Sequence, residues 1–151
     1  MAWERSGVRV PLGPQMKIFV ICSKKFFDRI PSIQQKLEDM GHVLTFPNTY
    51  PATDIEDKYR QLSKEEIKKW RREMFKMSLE SVGKNEAVLV LNFEKDGVKN
   101  YIGGSTFMEM YDAYRMGKKI FLYNEIPEGI LADEIEGFGP IVINGDLNRI
   151  K

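Results

Sequence analysis

Lys17 to Cys22 (KIFVIC), Glu86 to Phe93 (EAVLVLNF) and Lys119 to Tyr123 (KIFLY) are apolar at successive positions rather than at alternate ones. Strands written this way are buried on both faces, the pattern of a parallel sheet with helices on each side. Helical periodicity separates them. Phe26, Phe27, Ile30, Ile33, Leu37 and Met40 fall on one stripe, with Pro31 in an early turn and Gly41 at the end. His42 to Phe46 reads as a second strand and Pro47 to Asp54 as a loop. Ser63-x-x-Glu66 is a capping box opening a long helix to about Val82. A helix follows Gly103-Gly104-Ser105-Thr106 to about Arg115, and a short helical piece near Leu131 to Glu136 leads to a fifth strand, Pro140 to Asn144. The alternation predicts a single-domain, doubly wound α/β fold of the Rossmann/flavodoxin-like kind, with a mostly parallel five-stranded sheet and helices on both faces. Such sheets bind ligands at the carboxyl ends of their strands. The segments to watch are therefore Cys22 to Phe26, Asn92 to Thr106 and Asn124 to Gly129.

Charge narrows the partners. Lys and Arg total 23 against 22 acidic residues, a net charge of +1 over 151 residues. This gives no electrostatic case for a nucleic acid polymer or a membrane surface. The lone cysteine, Cys22, forbids an internal disulfide and fits a reducing, cytoplasmic setting. With one Cys and one His, a zinc site of the usual Cys/His kind is not expected. Met1 to Gln15 show neither helical nor strand periodicity and lack the apolar core of a signal peptide. The string RSGVRVPLGP is similar to what results when the end of a transfer-RNA gene is translated. Residues 1–15 are expected to be a disordered arm or a mis-assigned extension, with the domain at 16–151.

The Gly103-Gly104-Ser105-Thr106 turn is the strongest local signal for chemistry. Glycines allow close backbone approach, and a helix N-terminus offers unpaired N–H groups to phosphates and sugars. The spacing is neither a Walker loop nor GxGxxG. A tight strand-to-helix connection explains the same residues without any ligand. Glu109, one turn further, has two readings as well. Thr106-x-x-Glu109 is itself a capping box, and an acidic residue near a helix start complements the dipole. Alternatively, Glu109 is a nucleophilic carboxylate, kept ionised by that dipole and aimed at the strand-end crevice.

Other residues carry less. His42 at a strand start suits a surface or capping role. Lys68, Lys69, Arg71 and Arg72 read as the solvated side of a helix whose apolar face holds Ile67, Trp70, Met74 and Met77. Met110, Tyr111 and Tyr114 read as core or subunit contacts.

Taken together, VLVLN, a loop, and then GGST-F-M-E-M-x-x-A-Y-x-x-G-K-K-I-F resemble the nucleoside 2-deoxyribosyltransferase-like superfamily of deoxyribosyltransferases and nucleotide N-glycoside hydrolases. KIFVICS, GHVLTFP and GKKIFLYNEIP extend the likeness over most of Met16 to Leu147, and its sharpest part is Ser105 to Tyr123. The resemblance implies that Glu109 is the catalytic carboxylate. It places substrate contacts at Cys22, Ser23 and Lys24 after the first strand and at Asn92, Gly103, Gly104 and Ser105 before the catalytic helix. It further implies a nucleoside or nucleotide substrate, no cofactor, and a homodimer or larger homo-oligomer. Three positions depart from the family pattern. A tyrosine of the first strand is Phe19, and two aspartates fall near Ser78 and on Gly103. These departures bear on sugar recognition and leave a non-catalytic nucleotide-binding or sensor module as the alternative function.

Overall fold

The computed structural model describes residues 15–151; the expectations for the segment before Gln15 lie outside them. Five strands, β1 (Lys17–Ile21), β2 (Val43–Thr45), β3 (Ala87–Val90), β4 (Lys119–Leu122) and β5 (Ile141–Val142), form one sheet in the order β2-β1-β3-β4-β5. Every pair is parallel, with Ile18 beside both Leu44 and Ala87, Val88 beside Ile120, and Phe121 beside Ile141. The order reverses between β1 and β3, the flavodoxin-like switch point where a crevice opens at the strand ends.

Successive burial in the strands is what the sequence pattern predicts. Ile18 and Val20 of β1 and Leu89 of β3 face α1 (Ile30–Asp39) and the C-terminal turn around Leu147 and Ile150. Phe19, Ile21, Val88 and Val90 face the other way, onto Val82 of α3 (Lys64–Lys84) and Met110 and Ala113 of α4 (Gly104–Arg115). Ile135 of the short α5 (Ala132–Gly137) completes that second layer. Each fully buried Val, Leu or Ile contributes roughly 1.5–3 kcal/mol, so β3, with all four residues buried, is the spine of both cores.

Local signals set the helix ends. Ser63 Oγ accepts from Glu66 N–H at 3.2 Å and donates to Glu66 Oε1 at 3.0 Å, so the box foreseen at the start of α3 is formed. Gly41 ends α1 with φ 91° and Gly117 follows α4 with φ 69°, conformations that cost a Cβ-bearing residue strain. Three features differ from expectation. The stripe from Phe26 starts as a 3-10 turn, Lys24–Arg29, before α1 begins beside Pro31. A further short helix, α2 (Ile55–Arg60), stands between β2 and α3 where no apolar periodicity marks it; none of its residues is buried. His42 is not a surface residue either. It is buried, and its Nδ1 accepts from the Met16 N–H at 3.0 Å.

Candidate active site

A cavity of about 290 Å³ opens at the carboxyl ends of β1 and β3, on the switch point of the sheet. This is near the lower end of the size range of small-molecule pockets. Its floor is built by the segment after β1 (Cys22, Ser23, Lys24) and by the first turns of α4 (Gly103 to Thr106, then Glu109). Seven of the eight residues singled out in the sequence therefore meet in one place.

Gly103 is the N-cap of α4 and no side chain caps the helix, so the free N–H groups of the first turn are left to the cavity. A Cβ at Gly103 would lie 3.2 Å from the Tyr101 hydroxyl, tighter than ordinary packing allows. Because the helix starts at Gly104, Thr106 is buried inside the first turn and Glu109 stands in the second. The Thr106–Glu109 capping box is thus not formed, and capping does not explain Glu109.

Glu109 keeps contact with the cavity while protein packs its other sides. Burial pushes its carboxyl up to about 7; Asp112 adds to the rise, and a hydrogen bond from the Ser78 hydroxyl opposes it. This corrects the expectation that the helix N-terminus keeps Glu109 ionised. The helix field falls off within the first turn, and burial outweighs it here. Ser78 is itself held, because its Oγ accepts from Asn48 Nδ2 at 3.0 Å while Asn48 also donates to the Met74 carbonyl at 3.1 Å. Asn48 thus fixes from the loop after β2 the α3 serine that lowers the Glu109 carboxyl on α4.

The other groups of the floor are arranged as follows. Ser23 Oγ caps the 3-10 turn by accepting from Lys25 N–H at 3.3 Å, and its O–H is left to donate. The Cys22 thiol is pushed up to about 12, first by burial and then by the Glu109 charge, so it is no thiolate. Lys24 reaches Glu56 at 3.8 Å and Asp57 at 3.7 Å on α2.

Asn92 departs from the expected role as a ligand contact. It is fully buried and does not line the cavity. Its side chain donates to the carbonyls of Asn124 and Glu125 and accepts from Asn124 N–H at 2.8 Å, while Asn124 Nδ2 donates to the Asn92 carbonyl. Asn92 is a clasp between the ends of β3 and β4. It draws the Asn124 to Gly129 segment to itself, and that segment is not part of the cavity wall.

The remaining wall comes from residues the sequence did not mark as a site. Trp70, Arg71, Met74 and Ser78 of α3 line it, with Glu56 of α2, Asn48 and Asp112. Arg71 is not on a solvated helix face; it donates to Glu56 Oε1 at 2.9 Å and lies against the Trp70 ring. Glu56 is held below the usual carboxylate range chiefly by Arg71. The only available signal was the i, i+4 and i, i+7 spacing of Trp70, Met74, Ser78 and Arg71 on α3, which is also the spacing of a packed helix. Among the described residues no group of side chains has a metal-binding arrangement, and no helix is long and apolar enough to cross a membrane.

No family model matches the chain, and no curated protein does. Among solved structures, the 2-deoxyribosyltransferase of Bacillus psychrosaccharolyticus is similar over 76% of this chain and 76% of its own, with a TM-score of 0.51 and 24% identity. The likeness establishes a shared fold: the all-parallel sheet and its helices form a doubly wound domain of the kind found in deoxyribosyltransferases.

Proposed function

We propose that this protein cleaves or transfers the N-glycosidic bond of nucleosides or nucleotides, with Glu109 as the nucleophile. The single observation that carries the reading is the Glu109 carboxylate. It faces a cavity at the sheet's switch point, beside the open first turn of α4, and the Ser78 hydroxyl favours its charged form. A carboxylate buried against protein on all sides but the ligand's is what nucleophilic attack at an anomeric carbon requires. The resemblance of the GGST to GKKIF segment to deoxyribosyltransferases, and the fold shared with one of them, support the same chemistry.

The ionised Glu109 attacks the anomeric carbon as the bond to the base breaks, through an oxocarbenium-like transition state, and a glycosyl ester forms. Water then releases the sugar in a hydrolase; an acceptor base takes it in a transferase. Ser23, Ser105 and the N–H groups of Gly104 and Ser105 hold the hydroxyl or phosphate end of the sugar, where the helix terminus favours an anion. Lys24 is within reach of the same end, and Cys22 packs beneath it as a neutral thiol. The working unit spans residues 16–151, acts in the cytoplasm, and is a homodimer or a multiple of one. The dimer is suggested by Met108, Tyr111 and Tyr114, which leave α4 with three large side chains 45 to 52% exposed.

A second reading, a non-catalytic nucleotide sensor, is favoured by one observation. Phe19, where the family has a tyrosine, is fully buried in the core and presents no polar group to the cavity. Incubation with a panel of nucleosides and 5′-monophosphates, with and without an acceptor base, separates the two. Released or exchanged base supports the enzyme; tight binding without any base release supports the sensor.

A further inference from the structure

A base leaving a sugar needs a proton, and Glu109 cannot supply it while its own oxygen forms the ester bond. The other titratable groups of the cavity can be taken in turn. Glu56 is ionised against Arg71, Arg60 and Lys24, so neither it nor the cations paired with it is free to deliver a proton. Lys95 lies 4.4 Å from the centre of the Tyr101 ring and is held there. Cys22, at about 12, keeps its proton too firmly to act as an acid. Asp112 is left.

Asp112 follows Glu109 by three positions on α4, so the two share one face of the helix, with Cβ atoms about 5–6 Å apart. Both line the cavity. In retaining glycosidases one carboxyl of a pair attacks and the other handles the proton. Each is within electrostatic reach of the other, since the Asp112 charge helps raise Glu109. Burial raises the Asp112 carboxyl too, and Arg115 only partly offsets this.

We propose that Asp112 is the general acid for the departing base and then the general base for the incoming water or acceptor. The assignment rests on the glycosyl-transfer reading of Glu109. In the first step the bond from the anomeric carbon to the base nitrogen breaks, its electron pair stays with the base, and the Asp112 proton moves to the base. In the second, Asp112 takes a proton from water as the water oxygen attacks the anomeric carbon and the Glu109 carboxylate leaves. With an acceptor base, the proton comes from its ring N–H instead, and Asp112 ends protonated in either case.

The test compares two substrates of one sugar: a nucleoside, whose base must be protonated, and the dinitrophenyl glycoside, whose phenolate leaves without a proton. Full-length wild type, Asp112→Asn, Asp112→Glu and Glu109→Gln are assayed on both. Asp112→Asn is expected to lose roughly 100- to 10,000-fold in kcat/KM on the nucleoside, but less than about 10-fold on the dinitrophenyl glycoside. Asp112→Glu should regain part of the loss, and Glu109→Gln should lose both activities. An equal loss on the two substrates, or wild-type rates on the nucleoside, overturns the Asp112 assignment while leaving Glu109 in place. Wild-type protein that releases neither leaving group overturns the glycosyl-transfer reading and this one with it.

Discussion

Asn48 Nδ2 donates to Ser78 Oγ across 3.0 Å, tying the loop after β2 to the face of α3 that looks into the cavity. Ser78 in turn lowers the Glu109 carboxyl that burial otherwise raises. Ser78→Ala removes the lowering contribution. In the proposed reaction the carboxylate is the attacking form, so the rising limb of the kcat/KM pH profile should move to higher pH, and Asn48→Ala should move it the same way by less. A limb that stays in place in Ser78→Ala shows that Ser78 does not act on Glu109.

Glu109→Ala and Glu109→Gln are expected to abolish turnover with the fold intact. The glutamine variant carries a second, opposite signature. The folded carboxyl sits at about 7 against 4.5 for its ordinary value, so ionised Glu109 lowers stability. That penalty is absent below the ordinary value, grows as pH rises between the two, and is complete above the folded value. Its size is up to about 3.5 kcal/mol at roughly 1.4 kcal/mol per pH unit. Glu109→Gln should therefore melt higher than wild type at pH 8 and level with it at pH 4. A variant that keeps more than a few per cent of the wild-type rate would falsify the nucleophile assignment.

Asn92→Ala should behave as a structural variant. Three hydrogen bonds of a buried side chain are lost, and the Asn124 N–H and two carbonyls lose their partner. Unsatisfied buried groups cost about 1–3 kcal/mol. The melting temperature should fall while KM changes less than about threefold. A large KM rise at unchanged stability would restore Asn92 as a ligand contact.

Tyr111 is 47% exposed beside Phe138 on the outer side of α4. If α4 lies at a two-fold contact, Tyr111→Glu buries a charge there and should weaken assembly and turnover together. Light scattering after size exclusion decides the matter, since wild-type protein that is monomeric at micromolar concentration rules out the dimer.

Deletion of residues 1–15 should leave melting temperature and activity unchanged, because strand periodicity begins abruptly at Met16. A drop of several degrees on truncation would mean that the arm packs against the domain.

The sheet was legible because its strands are apolar on both faces, and KIFVI, AVLV and KIFL can be buried in no other way. The floor of the cavity was legible for a related reason: it is made of short segments directly after strands, and topology places them. The wall was not. Trp70, Arg71 and Ser78 belong to a helix whose spacing is equally that of a solvated amphipathic element. Asp112 looks like any surface acid until α3 is laid beside it. Asn92 misled because a polar residue ending a buried strand fits a ligand contact as well as it fits a clasp to the neighbouring strand end. Glu109 does line the strand-end cavity, but its raised carboxyl was not legible, since burial is a property of the assembled neighbours.

The α2 wall, finally, is fastened differently from everything around it. It buries no residue of its own, and is held by the Glu56 pairs to Arg71 and Lys24 and by the stack of Tyr59 on Trp70. Charge pairs at a partly wet boundary weaken as counter-ions crowd in, with a screening length of about 10 Å at 0.1 M salt and about 3 Å at 1 M. Buried carbon does not respond this way. Rising ionic strength is therefore expected to loosen the α2 rim of this cavity before it touches the sheet beneath.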